Sequence, residues 1–176
     1  MTRSELEHLI RASGAIADVD EVVIIGSQAI LGTFPDAPEI LLRSMEADLY
    51  PRRTPDLAEL VDGAIGEGST FHAEFGYYAQ GVGPETAVLP KSWEGRLVQI
   101  KNQNTGDVAG MCLEVHDLAI SKYVAGRPKD LEFTRELARQ KMTVRKTLQE
   151  RTRGISVDHA LLAHLRARIE ADFLRP

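Results

Sequence analysis

The apolar run Val22-Val23-Ile24-Ile25 stops at Gly26-Ser27, and Glu46-Ala47-Asp48 follows nineteen residues later. No other stretch limits the fold as strongly. A short β-branched run bounded by a turn of two small residues reads as a buried strand. The segment Ser44 to Tyr50 then alternates apolar and acidic positions. Successive strand side chains point to opposite faces, so Met45, Ala47 and Leu49 share one face and Glu46 and Asp48 the other. The two carboxylates lie roughly 7 Å apart along such a strand. Their oxygens can converge on one hard cation, Mg²⁺ or Mn²⁺, which keeps its other positions for water and phosphate oxygens. The Gly26-Ser27 turn lets backbone N–H groups approach a phosphate closely. The two elements together point to a metal-dependent nucleotide site.

Residues 112 to 133 carry the second feature. Asp117 is placed to cap a helix whose apolar positions include Leu118, Ile120, Tyr123 and Val124, leaving Lys122 on a more polar side. Gly126 ends that helix, and Pro128 suits the first turn of the next. Asp130 falls in the same first turn, where the helix dipole favours a carboxylate. On a continuous helix, Lys122 and Asp130 would sit about 80° apart. The break at Gly126 to Pro128 lets both side chains turn toward one point.

Strand, Gly-Ser, helical turn and acid-x-acid strand, in that order, resemble the nucleotidyltransferase superfamily in its minimal form. The stretch Asp117 to Phe133 is similar to the second signature of small bacterial nucleotidyltransferases related to the AbiEii-type abortive-infection toxins, and most of all to an uncharacterised branch of that group. There an Asp-Leu-x-x-x-Lys helix precedes a Gly-Arg-x-Lys-Asp turn; the likeness spans about residues 20 to 140. It implies an α/β fold: a nucleotidyltransferase-like mixed β-sheet with flanking helices over 1–115, and a helical part, 116–176, packed on it as a single domain. It assigns Gly26 and Ser27 to the triphosphate, Glu46 and Asp48 to the catalytic metal, and Lys122 to the nucleotide phosphates. Asp130 would orient Lys122 or activate the acceptor. The sequence departs from the commonest pattern in having Glu, not Asp, at position 46.

The implied activity is transfer of NMP from an NTP, with Mg²⁺ or Mn²⁺, to a protein hydroxyl, an RNA end or a small molecule. The implied setting is a toxin–antitoxin or phage-defence system with an antitoxin-like protein partner. The alternative is a catalytically silent nucleotide-binding or protein-interaction module on the same fold. Glu74 is a candidate third carboxylate, and His72 and His116 are candidate general bases.

Composition fits these expectations. At 176 residues, 43% hydrophobic and 27% charged, the chain suits one globular domain. The single cysteine, Cys112, excludes an intrachain disulfide, and its apolar neighbours Met111, Leu113 and Val115 place it on a buried strand. The start lacks an apolar signal core and no run reaches membrane-spanning length, so the expected compartment is cytoplasmic. Residues 1–121 carry 8 Lys and Arg against 19 Asp and Glu, whereas residues 122–153 carry 10 against 4. The basic stretch can meet nucleotide phosphates, a tRNA or another RNA acceptor, although nothing aromatic between Phe133 and Arg153 offers a stacking platform. The absence of Gly-x-x-x-x-Gly-Lys-Ser/Thr, Gly-x-Gly-x-x-Gly and Gly-x-Ser-x-Gly disfavours P-loop NTPases, dinucleotide oxidoreductases and serine hydrolases.

Along the chain, helices are expected over 3–14, stopped by Gly14, and over 56–65, capped by Thr54 or Asp56. Strands are expected near 21–25, 71–82, 86–89, 96–101 and 111–115. The rest is expected to be helical, with a break at Thr152 to Gly154 and a cap at Ser156 or Asp158.

Overall fold

The structure, a computed structural model, describes residues 1–174. The chain divides into two compact units, one formed by Met1–Thr86 with Leu97–Leu113, the other by Ala87–Arg96 with the residues from Glu114 onward.

The first unit is built on a five-stranded mixed sheet. Its strands are β1 (Glu21–Ile24), β2 (Glu46–Pro51), β3 (Tyr78–Gly81), β4 (Val98–Ile100) and β5 (Ala109–Cys112), in the order β3-β2-β1-β5-β4. The central β1 pairs antiparallel with β2 and parallel with β5, and β2 pairs parallel with β3. Val22, Val23 and Ile24 are fully buried, which explains the unbroken apolar run. The same unit contains helices α1 (Arg3–Ala17), α2 (Ile30–Thr33), α3 (Ala58–Ile65) and α4 (Thr70–Phe75). Thr2 and Glu5 form a capping box at the start of α1, and Leu6, Leu9 and Ile10 bury its apolar face. The helix runs past Gly14 and ends at Asp18, a residue type whose short polar side chain tolerates its left-handed φ of 51°. Thr54 makes no side-chain cap, and a 3-10 turn over Pro55–Leu57 leads into α3.

Two strand expectations fail here. The segment expected as one strand over 71–82 is α4 followed by the four-residue β3. Phe71 and Phe75 are four residues apart, so alternation in sequence is equally a single helical face. Both rings pack on His8, with centroids 5.0 and 4.8 Å away. Ser69 caps the helix by accepting the His72 N–H, and Gly76 ends it. No strand forms near 86–89; Pro84–Thr86 is a 3-10 turn, and the following ten residues belong to the second unit.

The second unit gathers α5 (Val115–Ala125), α6 (Pro128–Arg139), α7 (Arg145–Arg151) and α8 (His159–Leu174) around Leu118, Ile120, Tyr123, Leu137, Leu148, Leu165 and Ile169. The cap of α5 is Glu114, whose carboxylate accepts the His116 N–H, and not Asp117. Asp117 is instead completely buried, holding Arg96 through two hydrogen bonds of 2.7 and 3.1 Å and Arg151 at 3.0 Å. The break at Thr152–Gly154 is a 3-10 turn, and Asp158 accepts the Leu161 N–H at the start of α8. Among the described residues no helix is long and apolar enough to cross a membrane. The architecture is α/β, a mixed sheet with flanking helices followed by helices.

Candidate active site

Antiparallel pairing brings the end of β1 beside the start of β2, and parallel pairing brings the start of β3 to the same end. Along β2, Ala47 and Leu49 are fully buried, while Glu46 and Asp48 are half-exposed on the opposite face. The Ile25 N–H donates to the Asp48 carbonyl at 3.0 Å, extending the β1–β2 ladder to the turn. Gly26 then opens a 3-10 turn over Ser27–Ala29 that feeds α2.

The Asp48 side chain lies directly against Gly26. A Cβ on Gly26 would fall 2.7 Å from Asp48 Cγ and overlap Oδ2. Glycine is needed there for space, since its backbone is extended and fits any residue. The structure therefore joins the Gly-Ser turn to the second acid, and Ser27 stands beside them partly exposed.

Across β2, the register sets Tyr78 opposite Glu46 and Gln80 opposite Asp48. The Tyr78 hydroxyl donates to Glu46 Oε2 at 3.1 Å. Burial and then the Glu46 carboxylate push that hydroxyl up to about 12, so it is a donor throughout the neutral range. The His72 ring packs on Tyr78 with centroids 4.6 Å apart, and its Nδ1 accepts the Gly68 N–H at 3.0 Å. Glu74 is exposed on α4 and not on the strand beside β2, where Tyr78 and Gln80 stand. Among the described residues no group of three or more His, Cys, Asp or Glu side chains is arranged to hold a metal ion. Glu46 and Asp48 offer two hard carboxylate donors, the type of ligand that Mg²⁺ and Mn²⁺ take one or two at a time. Sequence reasoning missed Tyr78 because only the β2–β3 register shows which side chain faces Glu46.

Lys122 and Asp130 belong to the second unit. The Gly126 turn, at φ 65°, separates α5 from α6, and Lys122 Nζ comes 3.4 Å from Asp130 Oδ1. Arg127 Nε reaches the other oxygen at 2.6 Å. Burial opposes ionisation of Asp130, but Arg127 and then Lys122 outweigh it and hold the carboxyl below its usual range. Lys122 is 9% exposed, with its ammonium 5.9 Å from the Phe133 ring centroid, and does not lie on the polar side expected for it. His116 has both ring nitrogens engaged. Nδ1 meets Glu114 at 2.7 Å and Nε2 accepts the Val144 N–H at 2.9 Å, an arrangement that serves the fold and leaves no nitrogen for base catalysis. Within the basic stretch, Arg135, Arg139, Arg145 and Arg151 all face carboxylates of the same unit. Cys112 is fully buried, and burial pushes its thiol up to about 12.

Residues 4–153 match a family described as a nucleotidyltransferase of unknown function, DUF6036. The chain belongs to this family. The DUF6036 match takes in both the Gly26–Asp48 contact and the Lys122–Asp130 pair, and stops before α8. No curated protein and no solved structure matches the chain.

Proposed function

We propose that this DUF6036 protein transfers a nucleoside monophosphate from an NTP to an acceptor hydroxyl: the acceptor oxygen bonds the α-phosphorus, the α–β anhydride bond breaks, diphosphate leaves and the hydroxyl proton passes to solvent. The observation that carries the reading is the Asp48 carboxylate resting on the backbone of Gly26, which sets an acid beside a turn able to cradle phosphate. A divalent ion held by Glu46 and Asp48 would neutralise charge developing on the phosphates during in-line displacement. Gly26 and Ser27 position the triphosphate. The family resemblance assigns Lys122 to nucleotide phosphates as a charge-stabilising cation, and within its own unit Asp130 orients that ammonium through the 3.4 Å ion pair. The acceptor is a protein hydroxyl, a small molecule or an RNA end reached through residues 122–153. The resemblance of Asp117 to Phe133 to abortive-infection toxins supports reading the activity in a toxin–antitoxin or phage-defence setting, with an antitoxin-like protein partner.

The test is incubation with each labelled NTP, Mg²⁺ or Mn²⁺, and a pool of cellular RNA and protein. Label should pass to one class of acceptor, and Asp48→Asn should abolish the transfer. One observation favours a second reading: β3 sets Tyr78 and Gln80, not a carboxylate, beside the acidic pair. On that reading the protein binds nucleotide without transferring it. NTP binding with no transfer to any pool decides for the silent module.

A further inference from the structure

Glu46 carries one more methylene than its strand neighbour Asp48. Its carboxylate thus has one more rotatable bond to fix before it can hold an ion in a single geometry. The residue directly opposite in the β2–β3 register, Tyr78, donates its hydroxyl to Glu46 Oε2 at 3.1 Å. Tyr78 is itself immobilised, 8% exposed and covered by the His72 ring at 4.6 Å. His72 is in turn pinned by the Gly68 N–H on its Nδ1. Backbone, histidine, tyrosine and glutamate form a chain of contacts that ends on one carboxylate oxygen.

We propose that Tyr78 is a positioning residue for the Glu46 carboxylate, its hydroxyl selecting the rotamer in which Glu46 and Asp48 share a divalent cation. The inference rests on the metal reading of those two acids. Carboxylates that ligate metals are characteristically hydrogen-bonded in turn, and the outer partner sets their orientation. An O–H donor suits this role because it satisfies one lone pair and adds no charge to compete with the cation. The longer Glu46 side chain reaches the hydroxyl, which restrains the extra rotation.

The experiment is Mn²⁺ titration of the full chain without nucleotide, followed by loss of the free-ion electron paramagnetic resonance signal. The proteins are wild type, Asp48→Asn, Tyr78→Phe, Glu46→Gln and the double variant Tyr78→Phe/Glu46→Gln. Phenylalanine keeps the ring under His72, so the melting temperature should hold. Tyr78→Phe should weaken Mn²⁺ binding about tenfold, as loss of an outer-shell partner does. In the Glu46→Gln background the same change should cost less than about twofold, because its effect runs through that carboxylate. An equal loss in both backgrounds would mean that Tyr78 acts through the fold, and would overturn the proposal. Unchanged affinity in Tyr78→Phe, with Asp48→Asn clearly weakened, would overturn it while leaving the metal reading intact. Equal affinity in wild type and Asp48→Asn would remove the metal reading and this inference with it.

Discussion

Gly26 has no functional group, yet it governs one. Because Asp48 Oδ2 occupies the space a Cβ would need, Gly26→Ala should displace the carboxylate without altering any charge. The expected outcome is Mn²⁺ affinity lowered about tenfold, a loss of the size seen when a metal ligand's surroundings are disturbed. The added Cβ would also meet Asp48 Cγ at 2.7 Å and Cβ at 3.0 Å, so the whole short side chain must turn away; calorimetry beside the Mn²⁺ titration separates that cost from the lost affinity. Cys112 offers a second prediction at this scale. With its thiol pushed up to about 12 and no exposed surface, native protein at pH 8 should resist thiol reagents, labelling only as fast as it opens. A fast stoichiometric reaction under native conditions would contradict the burial. Individual residues were legible in sequence where spacing alone decides geometry. Glu46 and Asp48 had to share a face, and Lys122 and Asp130 could meet once Gly126 broke the helix. Tyr78 was hidden because its role depends on a partner strand whose register is set 32 residues away.

Among elements, the helical unit is tied together by a carboxylate that the sequence offered only as a cap. Asp117 joins Arg96, in the segment preceding β4, to Arg151 at the end of α7. Replacing Asp117 by Asn leaves two arginines facing a neutral amide, and should cost about 3 kcal/mol, the size expected when one partner of a buried pair is removed. Urea unfolding followed by circular dichroism measures it. Glu114, the true cap of α5, predicts a pH dependence. Burial opposes its ionisation, but His116 and then Arg151 hold it at about 2, below the ordinary 4.5. A carboxylate depressed on folding stabilises above its unfolded value, so this contribution is complete above pH 4.5 and lost as pH falls toward 2. The difference in urea midpoint between wild type and Glu114→Gln should shrink over that interval. The failed strand at 71–75 shows why elements were less legible than residues. Phe71, Ala73 and Phe75 satisfy a two-residue alternation, Phe71 and Phe75 also satisfy a four-residue helical spacing, and the His8 ring that decides between them is more than sixty positions earlier.

For the whole molecule, the course of the chain between its units matters as much as either unit. The residues of Ala87–Arg96 sit between two stretches of the sheet unit in sequence but belong with the helices, so no single cut separates the two. A fragment starting at Glu114 lacks Arg96 and the Gly154 carbonyl's partner, the Lys91 N–H. Its helices should melt well below those of the intact chain in far-ultraviolet circular dichroism. The overall class was legible because motif order and the switch from strand to helix patterns are both local signals. The ownership of residues 87–96 was not, since a short segment without regular structure takes its place from distant partners. The position of β1 has one further consequence, for synthesis. Its apolar edge is covered by β5, which leaves the ribosome about 85 residues later, or roughly 4 to 17 s at typical elongation rates. During that interval Val22 to Ile24 form an open, sticky edge on the nascent chain. Stalled or truncated products ending before Ala109 should therefore go to the insoluble fraction or to chaperones, while chains that reach Leu113 escape.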